Sequence, residues 1–225
     1  MITGKHLTAM PLHAVTEVLG ADGLTRRLDL ELLRLPPADR RIVAAAAVWA
    51  ATLHRDQRRT REPYINHLLR VTLRILCYYR VEDPEILVAA LLHDSVEDQP
   101  VTINTISRGY GARVAGLVES VTTPPRPDGV DRIAHYVDHL STTVAASPWG
   151  RVIKLSDFTD NGVGIIHTPG PKASRVAVKY APAVPVLRDL LSRIDTPLTS
   201  PVKAHIHTQL DLATTRIAAV LEVAG

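Results

Sequence analysis

Apolar residues in this chain recur three and four positions apart over long stretches, and strict apolar–polar alternation is scarce. From 38 to 59, entered through Pro36-Pro37, the residues Ile42, Val43, Ala46, Val48, Trp49 and Leu53 mark one helix. The run Leu68, Leu69, Val71, Leu73, Ile75 and Leu76 predicts a second over 66–79. A third opens with Asp83 as N-cap and Pro84 at the first helical position, then carries Ile86, Leu87, Ala90 and Leu91 toward Asp98. Further helices are expected over 112–121, 129–144, 150–161, 172–194 and 202–223, with Pro182 and Pro185 kinking or breaking the fourth of these. Aromatic residues are only 4% of the chain, so Ala, Val and Leu must build the core through helix–helix contacts.

The expectation is an all-α protein, a single-domain helical bundle. The proline-rich stretches 122–129 and 167–171 read as surface loops without a change of composition that would mark a second domain. With 46% hydrophobic and 22% charged residues over 225 positions, disorder and fibrous repeats are excluded. The one cysteine, Cys77, cannot close an intramolecular disulfide and sits in an apolar helical run, where packing suits it better than nucleophilic work. No signal-like or membrane-spanning run is present; the longest apolar stretch, 42–53, is too short to cross a bilayer. A cytoplasmic location is therefore expected. A net charge of +3 suits a polyanionic small molecule and does not call for a stable nucleic-acid partner.

Chemistry concentrates where the third helix ends, at Leu91-Leu92-His93-Asp94-Ser95-Val96-Glu97-Asp98. Glu97 and Asp98 follow His93 and Asp94 at helical spacing, so the acids crowd one helix end, where they repel one another and oppose the macrodipole. Solvent can relieve this, as on any hydrated helix end, or a divalent cation at His93 and Asp94 can. Two other segments supply completing ligands. His67 lies at the start of the second helix, and Asp157 lies in a polar stripe with Lys154 and Asn161. Taken singly, each has a plain structural reading, a backbone-bonded histidine and a surface carboxylate. His135 and His139 also stand four apart, at ligand spacing, on a helix whose apolar residues are Ile133, Val137 and Leu140.

The order His67, then His93-Asp94, then Asp157 resembles the H…HD…D signature of the HD phosphohydrolase superfamily. The segment His54-x-x-Gln57-Arg58-Arg59, followed by Glu62-Pro63-Tyr64-Ile65-x-His67, resembles the opening motif of RelA/SpoT-type alarmone hydrolases. Ala89-Ala90-Leu91-Leu92-His93-Asp94-x-Val96-Glu97-Asp98 is similar to that family's central motif. Tyr110-Gly111, Val152-Ile153-Lys154-Leu155-Ser156-Asp157 with Asn161, and Tyr180-Ala181-Pro182 follow in the family's order. The resemblance covers 43–187, and a stand-alone hydrolase without a synthetase segment is expected.

This resemblance implies an HD hydrolase domain over 36–195, with a helical extension over 1–35 and a C-terminal helix over 196–225. It implies one Mn²⁺ at His67, His93, Asp94 and Asp157, and places Glu97 and Asp98 at the attacking water. Arg58, Arg59, Lys154, Asn161 and Tyr180 are expected to touch a small-molecule nucleotide. The expected reaction removes the 3′-diphosphate of a (p)ppGpp-like alarmone, giving GDP or GTP and pyrophosphate. The alternatives are an HD phosphohydrolase acting on another nucleotide (a nucleotidase, a phosphodiesterase or an NADPH phosphatase) and a non-catalytic alarmone-binding module. Two imidazoles and two carboxylates leave open positions on a six-coordinate ion, which suits Mn²⁺ or Fe²⁺ better than a closed structural zinc site.

Overall fold

A computed structural model describes residues 4–59 and 62–224 and divides the chain into two units, Met1–Glu119 and Ser120–Gly225. Among the described residues the regular structure is helical, with one isolated antiparallel bridge between Arg58 and Pro63. This agrees with the all-α expectation. Among them, too, no helix is long and apolar enough to cross a membrane.

The first unit holds α1 (Gly4–Ala9), α2 (Leu12–Leu32), α3 (Pro37–Leu53), α4 (Ile65–Cys77), α5 (Pro84–Leu92), α6 (Ser95–Asp98) and α7 (Ile103–Tyr110). The boundary between the units falls within α8 (Ala112–Val121). Helix α4 packs on α2 and α5, and α5 packs on α3 as well. Every residue of α5 from Ile86 to Leu92 is buried, which explains its continuous rather than striped apolar sequence. Each large aliphatic side chain enclosed there contributes roughly 1.5–3 kcal/mol of transfer free energy. Asp83 caps this helix as expected, its Oδ1 accepting from the backbone N–H of Glu85 at 3.0 Å and of Ile86 at 3.4 Å. The long α2 is bent at Gly20, whose φ of 63° and ψ of −154° interrupt the helix in a region closed to most side chains. Cys77 lies at the end of α4, and burial pushes its thiol up to about 11, the Glu31 carboxylate adding to the shift; it is a packing residue rather than a thiolate.

Two boundaries differ from expectation, and one helix was not expected. The helix expected to run to 59 stops at Leu53, where His54 begins a turn. The helix expected to continue through Asp98 breaks at His93-Asp94, between α5 and α6. The short α7 has eight residues with Ile103 and Ile106 as its aliphatic ones, too few for a helical repeat to show in the sequence.

The second unit holds α9 (Arg132–His139), a π-helical turn (Leu140–Val144), α10 (Pro148–Gly162), a 3₁₀ turn (Val163–His167), α11 (Pro171–Tyr180), α12 (Ala183–Ser192) and α13 (Ser200–Ala224). Helix α13 packs on α10, α11 and α12. The expected proline break separates α11 from α12 at Ala181-Pro182. Helix α10 is buried on nearly all sides, and Arg151, Lys154, Asp157 and Asp160 go in with its apolar residues. Arg151 is satisfied by a bidentate pair to Asp195, at 2.8 and 2.5 Å, and by the Thr196 hydroxyl at 3.0 Å.

Candidate metal centre and the residues around it

In the first unit His67 stands in the first turn of α4, and His93 and Asp94 form the turn that ends α5. Both histidines are buried. Their rings meet edge to face, with centroids 5.3 Å apart. Asp94 Oδ2 lies 3.6 Å from His67 Nε2 and 3.3 Å from His93 Nε2. The break in the helix places them so. His93 Nδ1–H donates to the Ala90 carbonyl at 2.8 Å, so in the neutral ring Nε2 presents its lone pair to the Asp94 carboxylate.

An imidazole lone pair and a carboxylate oxygen at such a distance repel unless a cation or a proton lies between them. Adjacent donors on a six-coordinate ion, each about 2.2 Å from it, stand about 3 Å apart. The spacing and the chemistry of these donors therefore fit a divalent cation.

Asp94 is further fixed by Tyr64, whose hydroxyl donates to Oδ2 at 2.6 Å. The Tyr64 ring stacks on His54, with centroids 5.0 Å apart and planes at 14°, and meets His67 edge-on. Burial, with the Asp94 charge alongside, holds the Tyr64 phenol far above its ordinary range, so it stays a proton donor at any working pH. Two residues before Tyr64, Glu62 is gripped by Arg70 with two hydrogen bonds of 2.7 and 2.6 Å and accepts from Asn66 at 3.0 Å. The motif alone gives Tyr64 no task; the structure makes it the support of Asp94.

Glu97 and Asp98 are exposed at the end of α6. The Asp98 N–H donates to the Asp94 carbonyl at 3.0 Å, the bond that closes α6, so these two keep the expected helical relation. Asp98 Oδ2 accepts from Gln57 Nε2 at 2.8 Å. Of the two arginines, Arg59 lies 5.3 Å over the Tyr64 ring, whereas Arg58 is exposed in its bridge with Pro63.

In the second unit the stripe expected on α10 exists as a hydrogen-bonded triad. Lys154 Nζ is 3.2 Å from Asp157 Oδ2, and Asn161 Nδ2 donates to Asp157 Oδ1 at 2.7 Å. Lys154 also donates to the Val121 carbonyl at 3.3 Å. Lys154 and Asp157 are both buried. The Tyr180 ring packs at right angles to Phe158, with centroids 5.3 Å apart, and edge-on to Tyr136 at 6.0 Å. Lys179 sits 4.3 Å over the Tyr136 ring and 5.2 Å over that of Tyr180. His135 donates through Nε2 to the Pro124 carbonyl at 2.9 Å, and His139 is buried. Among the described residues these two histidines join no group of three ligand-bearing side chains.

The chain is similar to several known proteins. A family profile described as HD domain matches residues 46–139. The chain is 39% identical over 116 residues to a mouse (Mus musculus) protein named guanosine-3′,5′-bis(diphosphate) 3′-pyrophosphohydrolase MESH1, an alignment covering 50% of this chain and 63% of that one. It is 36% identical over 124 residues to the Xenopus tropicalis protein of the same name, covering 53% of this chain and 67% of that one. It is 38% identical over 135 residues to the Aquifex aeolicus guanosine-3′,5′-bis(diphosphate) 3′-pyrophosphohydrolase, covering 59% of this chain but 19% of that much longer protein. The chain thus spans less than two thirds of the length of the mouse and Aquifex proteins. A solved structure, described as a metazoan ortholog of SpoT that hydrolyzes ppGpp, shares the fold, with a TM-score of 0.60, 24% identity and coverage of 78% of this chain and 96% of that one. With the His67–His93–Asp94 corner in place, the chain belongs to the HD-domain family, in the group these MESH1-type relatives represent.

Proposed function

We propose that the chain is a metal-dependent phosphohydrolase that removes the 3′-diphosphate of ppGpp, or of a closely similar alarmone, as pyrophosphate and leaves GDP or GTP. The observation that carries this reading is the meeting of Asp94 Oδ2 with two imidazole Nε2 atoms at 3.3 and 3.6 Å. The names of the relatives support the substrate. Residues 36–195 would form the hydrolase domain.

His67, His93 and Asp94, with Asp157 as fourth ligand, would hold one Mn²⁺. When bound, such an ion supplies Lewis-acid activation and lowers the pKa of a coordinated water by several units. The protein's own residues do the rest. Glu97 and Asp98, exposed beside the ligand turn, would orient the attacking water and accept its proton. Lys154, already within 3.2 Å of the Asp157 carboxylate, supplies positive charge against the charge that develops on phosphate oxygens. Asn161 keeps Asp157 Oδ1 in place through its 2.7 Å hydrogen bond and offers its amide to the nucleotide. Arg59 presents a guanidinium over Tyr64, with Arg58 beside it in sequence, and Tyr180 offers a ring face on which a base can stack.

The test is to incubate the purified protein with ppGpp and Mn²⁺ and measure pyrophosphate, with GTP, cyclic nucleotides and NADPH as parallel substrates. Pyrophosphate release from ppGpp is expected. Hydrolysis of one of the others, with ppGpp left intact, overturns the substrate.

A further inference from the structure

Asp98 is an exposed carboxylate at the end of a four-residue helix, where nothing in its own element fixes its side chain. Its partner comes from forty-one residues earlier: Gln57 Nε2 donates to Asp98 Oδ2 at 2.8 Å. The Gln57 amide is itself oriented. Its Oε1 faces two N–H donors, His54 Nδ1 at 2.6 Å and Gln99 Nε2 at 2.8 Å. Turned over, the amide would set its oxygen against the Asp98 carboxylate, which can only accept, so Asp98 fixes the orientation, and Oε1 then calls for the His54 proton on Nδ1. The main chain is tied as well, with Gln57 N–H donating to the His54 carbonyl at 3.0 Å and Tyr64 N–H donating to the Gln57 carbonyl at 3.1 Å. His54 is 1% exposed and stacked on Tyr64, so the relay starts from a fixed point.

We propose that Gln57 is a positioning residue for Asp98, locked by His54 and Gln99 so that the carboxylate meets the attacking water from one direction. The proposal rests on the reading of Asp98 given above. A general base must lie within hydrogen-bond reach of its proton, and an exposed carboxylate that rotates freely spends little of its time there.

Two substitutions separate positioning from simple support of the loop. Gln57→Met keeps the length and removes both hydrogen-bonding ends. Gln57→Glu keeps an acceptor for His54 and Gln99 but turns a carboxylate oxygen, not a donor, toward Asp98. Both variants should lower kcat on ppGpp about 10- to 100-fold while KM and the Mn²⁺ dissociation constant change less than about threefold. Gln57→Met made on top of Asp98→Asn should add almost nothing to the loss from Asp98→Asn alone. In crystals of the metal-free Gln57→Met protein, the Asp98 carboxylate should leave the position it holds in the wild type. Full kcat in Gln57→Glu, or an Asp98 unmoved in Gln57→Met, overturns the proposal. The crystallographic reading does not depend on the substrate, so a wild type inert toward ppGpp would defeat the functional assignment while the position of Asp98 still decides this one.

Discussion

The Tyr64 hydroxyl and the Asp94 carboxylate are 2.6 Å apart, and through that hydrogen bond the residue that caps α4 sets the direction of a carboxylate on the α5–α6 turn. Outer partners of this kind typically account for 10- to 100-fold of metal affinity. Tyr64→Phe keeps the ring and its stacking on His54 and removes the donor alone. The expected result is Mn²⁺ binding weakened about 10-fold by calorimetric titration, with thermal stability of the metal-free protein nearly unchanged. Unaltered affinity would show that the hydroxyl serves packing only.

The Arg70–Glu62 pair behind Tyr64 sets a second expectation. The Arg70 side chain is 2% exposed and that of Glu62 21%, and their two hydrogen bonds are 2.7 and 2.6 Å long. Removing one partner of such a pair leaves the other charge buried and costs about 3 kcal/mol, whereas replacing both with apolar residues recovers much of that. Glu62→Ala should therefore destabilise by about 3 kcal/mol in urea titrations, and Glu62→Leu with Arg70→Met by clearly less. Equal losses in the single and double variants would mean that the pair is a surface contact.

Metal removal gives a third. If His67, His93 and Asp94 hold an ion in the folded state alone, a free concentration of Mn²⁺ at 100 times its dissociation constant adds about 2.7 kcal/mol of stability. Treatment with a chelator should abolish hydrolysis and lower the thermal midpoint, and Mn²⁺ should restore both. In Asp94→Ala the added ion should leave the midpoint where the chelator put it. A midpoint that rises with Mn²⁺ in Asp94→Ala as it does in the wild type rejects Asp94 as a ligand.

Much of this architecture could be read directly from residue patterns, and the failures have physical causes. Helix α8 and the Asp83 cap appear where expected because apolar spacing and a good cap agree there. The break at His93-Asp94 was hidden because no glycine or proline marks it. It depends instead on a side-chain bond from His93 to the Ala90 carbonyl and on the Asp94 backbone turning to φ −98° and ψ 0°. The polar stripe Lys154–Asp157–Asn161 was legible because helical spacing alone brings these residues together. The pairing of Gln57 with Asp98 was not, since an amide bonds to almost any polar group and only the tertiary fold chooses which.

His139 carries the pH prediction. It is 2% exposed, and burial, assisted by the nearby Lys154 charge, pushes its pKa down from 6.5 to about 4; the Val121 carbonyl and Asp138 pull the other way without overcoming this, and His135 adds to the depression. Above pH 6.5 the ring is neutral in both folded and unfolded chains and contributes no pH dependence. As pH falls from 6.5 toward 4 the unfolded chain takes up a proton that the folded one refuses, so stability is lost across that window and levels off below it. At about 1.4 kcal/mol per unit the loss reaches about 3 kcal/mol. Urea midpoints measured from pH 4 to 7 should follow this curve in the wild type and be flatter in His139→Met. Equal slopes in the two proteins would dismiss His139 as their source.

Gly162 closes α10 one residue beyond Asn161, and two effects of Gly162→Ala oppose each other there. Alanine is better than glycine in a helix interior by about 1 kcal/mol, but at a helix end the gain is smaller. Against it, a Cβ on Gly162 would lie 2.7 Å from Phe158 Cζ and 3.0 and 3.1 Å from two further ring carbons. The ring has little room to give, being 1% exposed and pressed against Tyr180 with centroids 5.3 Å apart. Overpacking of this kind costs about 1–3 kcal/mol, so the clash outweighs the propensity. Gly162→Ala should lower the thermal midpoint and, by shifting Phe158 into Tyr180, weaken nucleotide binding. Adding Phe158→Leu, which shortens the obstructing ring, should make the same alanine neutral or stabilising. A single Gly162→Ala variant that melts higher than the wild type would show that the Phe158–Tyr180 pair yields freely.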